Sequence, residues 1–513
     1  MFRKSGTSQQ EDFFGSFDFN FSSRKGRDLN NPNSWWNLFY KYVTRKIDEE
    51  LFTHLYSESM GRPNSPIRVL VSMMILKEGF GWSDGKLFEE CDFNILVMKA
   101  LGLCGLNDTT PSESTYYQFK QLLYCYQLEE GTDLIVQCFQ QLTEAQAKLF
   151  GVAGDKIRMD SKLIGSNIAD CCRLRLIISC LSTFWNSLPK SARSRLAPDQ
   201  RAFLEPLLKK KPQQLVYRLS NEEKKQLLED LGCLFFELMA LYSSIDSEKI
   251  LLIERVLNDQ YAIDEEKVTL KKGADIDANS LQSPYDLDAA YRTKRDESVQ
   301  GYSVNVTETC NAEGLNLISD VQVEPATQSD NDFVQSAIEN TETVVGRVNE
   351  VSMDGAYNDA SNAEYAKEHD QTFFFTGIQG SKGRYTFLVL EDGRVVIIDG
   401  KEGAVYVAEN YKEEKFKFKA NDGKTRYFTQ KAIDSYSRRL QVEQMPSEIK
   451  NRRNNVEATI FQMAYFTRNN KTRYRGKIKN QLWANCRAMW NNLVRIANHL
   501  DEVCPNVAWN VVN

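Results

Sequence analysis

The sequence predicts an α/β protein with an all-helical N-terminal part, a mixed β-sheet and helices on both faces of that sheet. Between Trp35 and about Gln127, apolar residues recur with the period of an α-helix. Further along, several short runs alternate between apolar and polar residues, as half-buried strands do, and 301–309 is the clearest of them. Helical patterns separate these strands and close the chain, so we expect one sheet covered by helices.

The composition is that of a globular protein. Of 513 residues, 42% are hydrophobic and 26% are charged, which allows a sizeable core and excludes a largely disordered chain. No uncharged apolar run reaches about 18 residues, so no membrane partner is expected, and the N-terminus lacks the apolar region of a signal peptide. The 11 cysteines include no C-x-x-C pair and are typical of reduced thiols, so the sequence predicts a cytoplasmic protein.

Residues 34–150 are expected to form a helical domain, after a polar, disordered arm at 1–33. The run 66–80 is apolar on most sides and predicts a buried helix, and 112–123 predicts a capped helix that carries Ser, Thr, Tyr and Lys side chains. Short helices that end in such a polar helix are typical of a helix-turn-helix DNA reader. An ordinary helical bundle explains the same spacing equally well, and both interpretations stay open.

The rest of the chain changes repeatedly between strand and helix patterns. Helices are predicted from about 168 to 263, at 332–342 and at the end of the chain, which closes with a tail at 501–513. Strands are predicted at 153–164, 301–309, 315–324, 348–354 and 372–376, with several short ones at 382–429.

Charge is distributed unevenly along the chain. The net charge is −6, yet residues 451–499 hold ten basic residues and one acid, whereas 324–370 hold two basic residues and eleven acids. Such a pattern suits a protein that holds a polyanion on one surface and cations in another place. Charge alone favours the simpler interpretation, solvated helix faces of opposite sign.

Missing motifs narrow the chemistry. The sequence contains no phosphate-binding P-loop, no glycine-rich dinucleotide motif and no H-E-x-x-H zinc motif. Only three histidines are present, which removes most support from serine-protease, zinc-hydrolase and histidine acid–base mechanisms. If the protein is an enzyme, carboxylates are the expected working groups.

Three acids stand out by their positions. Asp160 lies within a predicted strand, Asp354 ends another, and Glu457 lies early in a predicted helix. Carboxylates beside apolar strand neighbours are poorly solvated and need a cation or hydrogen-bond donors. Together the three would form the hard oxygen site that Mg²⁺ prefers. Taken singly, each acid is more simply explained as a strand-end hydrogen bonder or a surface ion pair.

Several further motifs accompany these acids. In chain order the whole set is Gly61-Arg-Pro-Asn-Ser-Pro-Ile, Pro111-Ser-Glu-Ser-Thr-Tyr-Tyr, Met159-Asp-Ser161, Ser283-Pro-Tyr-Asp-Leu-Asp, Gln300-Gly-Tyr302, Met353-Asp-Gly355, Val456-Glu-Ala-Thr-Ile-Phe461 and Arg473-Tyr-Arg-Gly476. Each motif alone has little specificity. Found together and in this order, over roughly 33–499, they resemble the DDE transposases of bacterial insertion sequences.

The resemblance implies an RNase H-like catalytic core over 151–500, with Asp160, Asp354 and Glu457 as catalytic and metal-binding residues. It implies two Mg²⁺ ions, for which Mn²⁺ substitutes, hydrolysis at transposon ends and strand transfer to target DNA. The implied partners are double-stranded DNA and a second copy of the chain, in a homodimer at the nucleoid. The wide spacing of the acids implies two insertions in the core, which are a helical one at 168–285 and a small β-rich one at 380–430.

Part of that family carries the signature Tyr-x2-Arg-x3-Glu-x6-Lys around the third acid. Arg453 matches its arginine, whereas Lys450 replaces the tyrosine and Ala464 replaces the lysine. This departure argues against that sub-branch and its hairpin route of excision. Arg468 and Lys471, which follow Ala464 by about one and two helical turns, are the candidates for the missing cation.

Two sets of side chains are predicted to bind DNA. Basic residues around the third acid are expected to contact phosphates; they are Arg453, Arg468, Lys471, Arg473, Arg475, Lys477 and Lys479. Polar residues of the N-terminal helices are expected to read the terminal inverted repeats; they are Ser112, Thr115, Tyr116 and Lys120. Two other functions stay open, namely a catalytically silent, domesticated DNA-binding protein and a metal-dependent nuclease without strand transfer.

Overall fold

The computed structural model describes residues 2, 4, 28–57, 61, 63–103, 108–243, 248–265, 267–294, 297–312, 314–377, 383–390, 394–412 and 415–503. Within these residues the protein is mixed α/β, with a mixed sheet and many helices, as the sequence predicts. Most of the predicted arm at 1–33 and of the tail at 501–513 lies outside the described residues. No helix in the described part is both long and apolar enough to cross a membrane.

Between residues 34 and 150, the described residues form six α-helices and two 3₁₀ turns at Thr44–Lys46 and Glu49–Leu55. The side chains of Ser83 and Ser112 accept backbone N–H groups and so cap the third and fifth of these helices. The second helix is buried on nearly all sides, as its apolar pattern predicts. The six are α1 (Trp35–Tyr42), α2 (Ile67–Phe80), α3 (Asp84–Phe93), α4 (Ile95–Leu101), α5 (Glu113–Glu130) and α6 (Leu134–Phe150).

In the described part of the chain the central sheet has six strands, which are β1 (Lys156–Gly165), β4 (Ala290–Lys294), β5 (Glu297–Thr309), β6 (Ile318–Pro325), β7 (Glu350–Met353) and β8 (Thr372–Phe375). Strand β5 pairs with β1 along one edge and with β4 and then β6 along the other, always antiparallel. On the far side of β1 the pairs β1–β7 and β7–β8 are parallel. The predicted strands at the positions of β1, β5, β6, β7 and β8 are thereby confirmed.

Helices cover both faces of this sheet. They are α13 (Val334–Val345), α14 (Ala360–Glu368), α17 (Asn454–Ala464) and α18 (Lys477–Val503). On one face Met159 of β1 packs with Ile338 of α13. On the other face Val306 of β5 belongs to a larger hydrophobic cluster that includes α17, α18 and the N-terminal helices. A side chain at Gly79 of α2 would meet the Trp490 ring of α18 at 2.3 Å, so these two helices pack at very close range.

Between β1 and β4 the chain forms a helical unit with a hydrophobic cluster of its own. It consists of α7 (Arg173–Ser187), α8 (Lys190–Arg193), α9 (Pro198–Lys209), α10 (Pro212–Tyr217), α11 (Asn221–Tyr242), α12 (Glu248–Gln260), the hairpin β2 (Tyr261–Asp264) and β3 (Lys267–Leu270), and a 3₁₀ turn at Gly273–Asp275. The hairpin corrects the helical prediction for 261–263. The Tyr261 ring fits against Gly232 of α11, where a Cβ atom would meet it at 2.5 Å.

Between β8 and α17 the chain forms a second, separate sheet. Its five strands pair with their sequence neighbours in order, around a hydrophobic cluster that includes Ile397 and Phe418. The strands are β9 (Tyr385–Val389), β10 (Val395–Asp399), β11 (Val405–Lys412), β12 (Lys415–Lys419) and β13 (Thr425–Thr429), followed by α15 (Gln430–Gln444) and α16 (Ser447–Arg452).

Candidate active site

Two of the three predicted acids lie on neighbouring parallel strands. Asp160 is in the middle of β1, and Asp354 directly follows β7. Arg158 pairs with Ser352 in the parallel register, and two further residues along each strand bring Asp160 level with Asp354 on the same face. The Asp354 side chain accepts the Ala356 N–H and so begins the 3₁₀ turn at Gly355–Tyr357.

The third acid comes from a helix that lies over these strands. Glu457 is in the first turn of α17, which packs on β1 and β5. Arg453 stands one turn before Glu457 and points in the same direction, because residues four apart share a helix face.

Arg453 joins the three acids. Its Nη2 atom lies 3.0 Å from an Asp160 oxygen, 3.7 Å from an Asp354 oxygen and 3.2 Å from a Glu457 oxygen. Carboxylates that are widely separated in the sequence are thus each held within 4 Å of one nitrogen atom. Exposure increases across the set, since the side chains of Asp160, Asp354 and Glu457 are 12%, 30% and 58% exposed.

Burial and charge act against each other at Asp160. Burial raises the pKa of its carboxyl group, and the nearby Asp354 adds to the rise, while Arg453 and the Ser161 N–H oppose it. Without the guanidinium, three carboxylates this close would repel each other strongly.

The arrangement of the three acids around Arg453 also bears on whether they could bind a divalent cation. Three carboxylates form a donor set of hard oxygen atoms, which suits Mg²⁺ or Mn²⁺. As they stand, no group of three or more His, Cys, Asp or Glu side chains in the described ranges is close enough to hold a metal, and Arg453 lies between the acids. The Nε atom of Arg453 is buried and has no hydrogen-bond partner in the described structure, so this guanidinium is incompletely satisfied where it is. The three acids therefore have the chemistry that a hard cation needs, but in this arrangement they surround the Arg453 guanidinium.

A buried ionic cluster behind the acids holds α17 on the sheet. The fully buried Glu308 of β5 bonds Arg158 of β1 at 2.5 Å, Arg495 of α18 at 2.6 Å and Thr459 of α17 at 2.7 Å. Arg158 also donates to the Arg452 carbonyl at 2.9 Å. The sequence analysis missed this cluster, although its signal is present. Glu308 follows the apolar side chains of β5 at a core-facing position.

The N-terminal residues predicted to read DNA have different surroundings. Ser112 caps α5, and its hydroxyl lies 2.9 Å from that of Thr115. Tyr116 is 1% exposed and packs edge-on against Phe88, so its side chain is not accessible to DNA in this structure. The Lys120 ammonium lies over the rings of Tyr116 and Tyr474.

The C-terminal residues predicted to contact phosphates divide into two groups. Lys471 pairs with Asp170 at 2.9 Å and Lys477 with Glu324 at 2.6 Å, so both have counter-ions, and Arg468 is exposed. Neither Arg468 nor Lys471 shows a contact with the three acids in the described structure. The second group is Arg473, Arg475 and Lys479, which line one cavity together with Lys120.

Comparison with known proteins adds one finding. Residues 27–122 match the family model described as Transposase domain (DUF772), which spans α1–α4 and the first part of α5. No curated protein and no solved structure gives a significant match. Residues 27–122 are therefore similar to a transposase domain, and they precede a mixed sheet on which three acids meet around Arg453.

Proposed function

We propose that the protein is a DDE transposase that binds the terminal inverted repeats of its element and catalyses phosphodiester hydrolysis and strand transfer. The observation that carries the proposal is the meeting of Asp160, Asp354 and Glu457 around one nitrogen atom, in a chain with a transposase domain. The sheet is compatible with an RNase H-like core, because two parallel strands extend the antiparallel β1–β5–β6 meander on the far side of β1.

In this proposal the three carboxylates hold two Mg²⁺ ions, or Mn²⁺ in their place. Bound there, such ions stabilise the attacking and the leaving oxygen of a phosphodiester displacement. Asp160 and Asp354 are fixed by their strands, and Glu457 stands at the exposed side where a DNA phosphate can approach. Arg453 would have to leave its central position if the carboxylates held cations, because both cannot occupy the same space. Two ends must be joined, so the working unit is a homodimer on double-stranded DNA, at the nucleoid.

The test uses the purified chain, a duplex that carries the inverted repeat flanking its gene, and Mg²⁺ or Mn²⁺. Wild-type protein should nick this duplex and join its 3′ end to a target duplex, whereas Asp354→Asn should do neither and still bind the duplex. Asp370→Asn is the matched control, because that side chain is 98% exposed and its backbone has the positive φ of 55° that asparagine accepts. Equal activity of the two variants would refute the assignment of the acids.

A DNA-binding protein without catalysis is the second candidate. The observation that favours it is that Arg453 already fills the space between the acids. If wild-type protein binds the inverted repeat but leaves it intact at every concentration of Mg²⁺ and Mn²⁺, this candidate replaces the first. Cleavage without end joining would instead identify a nuclease.

A further inference from the structure

A cavity of about 470 Å³ lies between helix α5 and the segment that leads into α18. We propose that it binds a backbone phosphate of the same DNA on which the three acids act. The inference rests on the proposed function, because the DNA is the duplex on which the three acids are proposed to act. The class of ligand assigned to the cavity is a phosphodiester with its sugar.

The charges of the cavity walls select an anion. Four cations line it, which are Lys120, Arg473, Arg475 and Lys479. The wall contains one carboxylate, Asp133, whose oxygen is bound to the N–H groups of Ile135 and Val136 at the start of α6. The described walls therefore carry an excess of positive charge.

The two arginines are held in position by neutral partners. Arg473 donates to the carbonyls of Gly81 and Trp82, and Arg475 donates through Nε to the Asn167 carbonyl at 2.7 Å. Carbonyl oxygens orient a guanidinium without neutralising it, so the positive charge remains available to an incoming phosphate.

Lys120 is influenced by the charges of Asp84 and Glu78, but it has no directly bonded counter-ion in the described structure. Its Nζ atom lies 5.4 Å and 5.6 Å from the centres of the Tyr116 and Tyr474 rings, and no ion pair of Lys120 is found among the described residues. Its neighbour Lys77 pairs with Asp84 at 2.5 Å. Burial, with Lys77 nearby, lowers the pKa of Lys120. A phosphate oxygen beside Nζ would supply the charge that this side of the wall lacks.

The remaining walls suit the sugar of a nucleotide. Leu123, Ile478 and Leu482 give the cavity an apolar side, and Lys479 lies over the Tyr124 ring at 5.3 Å. A volume near 470 Å³ is in the range of ordinary small-ligand sites, so one nucleotide unit fits.

The cavity is close enough to the acids for one duplex to reach both. Asn167 lines the cavity and follows Asp160 by seven residues, which span at most about 25 Å even when fully extended. A DNA strand rises 3.4 Å per nucleotide, so the bound phosphate lies within roughly seven nucleotides of the phosphate at the acids.

The test compares Lys120→Gln with Lys148→Gln, a lysine of α6 that is 75% exposed and paired with Glu144. Binding of the fluorescein-labelled inverted-repeat duplex is measured by anisotropy over a range of salt concentrations. Lys120→Gln should weaken binding and reduce the slope of log K against log salt by about one phosphate contact. Lys148→Gln should match the wild type. Equal slopes for Lys120→Gln and the wild type would overturn the proposal.

Three further measurements distinguish a lost phosphate contact from misfolding, from binding of a free anion and from a failure of the proposed catalysis. Thermal unfolding must show that Lys120→Gln is folded, and Lys479→Gln provides a second variant if it is not. One outcome is that inorganic pyrophosphate raises the melting temperature of the wild type while Lys120→Gln binds the duplex as tightly as the wild type does. That combination would mean that the cavity binds a free anion, and the proposal would be wrong. A changed salt slope in a protein that never cuts DNA would support the cavity and refute only the proposed catalysis.

Discussion

At the scale of single residues, Arg453 determines the electrostatics of the site. The sequence predicts a DNA contact for it as one of the basic residues around the third acid, whereas the structure places it among the three acids. The four-residue spacing from Arg453 to Glu457 predicts one of its ion pairs. The other two depend on strands that are far away in the sequence, so no local pattern reveals them.

Replacing Arg453 should separate its structural role from cation binding. Arg453→Gln leaves three close carboxylates without a counter-charge, so we expect the metal-free protein to lose about 1–3 kcal/mol of stability. Mn²⁺ should then raise the melting temperature more in Arg453→Gln than in the wild type, because no guanidinium has to be displaced. Thermal unfolding with and without MnCl₂ measures both effects. Arg347→Gln, at a side chain that is 67% exposed, is the control, and an identical Mn²⁺ response in all three proteins would contradict the prediction.

Asp320 gives the protein a pH-dependent stability that is independent of the site. Burial raises the pKa of its carboxyl group to about 6, although Gln322 and Asn340 donate hydrogen bonds to it. The folded state therefore binds this proton more tightly than the unfolded chain, whose Asp pKa is about 3.9. The contribution of Asp320 to stability is thus greatest below pH 4 and is lost as the pH rises through 6.

The variant Asp320→Asn removes this titration. Relative to the wild type, it should gain about 2–3 kcal/mol between pH 4 and pH 7. Urea unfolding at several pH values measures the difference, and Asp370→Asn should show no comparable trend. A constant difference between Asp320→Asn and the wild type across this range would disprove the assignment.

At the scale of elements, the sequence predicts the strands of the central sheet better than it predicts the hairpin in the helical unit between β1 and β4. Alternation located β1, β5 and β6, and parallel pairing of β1 with β7 brings Asp160 and Asp354 to one level. The hairpin β2–β3 is missed because Tyr261 to Ile263 continue the apolar helical pattern, whereas in the structure they pair with β3 and the Tyr261 ring packs against Gly232. Tertiary contacts of this kind override local preference and leave no periodic signal.

The position of α17 should depend on Glu308. Glu308→Gln leaves Arg158 and Arg495 buried without their carboxylate, and we expect a loss of about 3–5 kcal/mol in unfolding free energy. Thr459→Val removes the hydrogen bond from α17 to Glu308 and the bond that the same hydroxyl accepts from Arg495, but it keeps the carboxylate of Glu308 and should lose only about 1 kcal/mol. Both should weaken Mn²⁺ binding, since Glu457 is carried by the same helix. The exposed Glu339→Gln is the control, and unchanged Mn²⁺ binding in both variants would show that Glu308 has no positioning role.

At the scale of the whole molecule, the hydrophobic clusters do not follow the order of segments along the chain. The N-terminal helices, one face of the sheet and α18 share a single cluster, whereas the helical unit between β1 and β4 has its own. The end of β1 and the start of β4 both lie beside Gly301 of β5. About 10 Å therefore separates the two ends of that unit at the sheet.

Two deletions should consequently behave in opposite ways. Replacing 173–281 by a short Gly/Ser linker should preserve cooperative unfolding, because the linker spans a small gap and the removed unit takes its own core with it. Removing 1–150 should cause aggregation, because it exposes the apolar faces of α18 and the sheet. Size-exclusion chromatography and thermal unfolding distinguish these outcomes. A monomeric, cooperatively folding 151–513 fragment would show that the shared cluster is dispensable.

The late position of α17 and α18 in the chain affects how the protein is made. During translation, Asp160 and Asp354 leave the ribosome well before Arg453 and Glu457, and α18, which packs on the N-terminal helices, follows later still. A polypeptide interrupted before about residue 450 has neither the third acid nor the arginine that balances the first two. Such a product cannot assemble the cluster of three acids around Arg453, and its uncovered helices make it a ready substrate for cellular proteases.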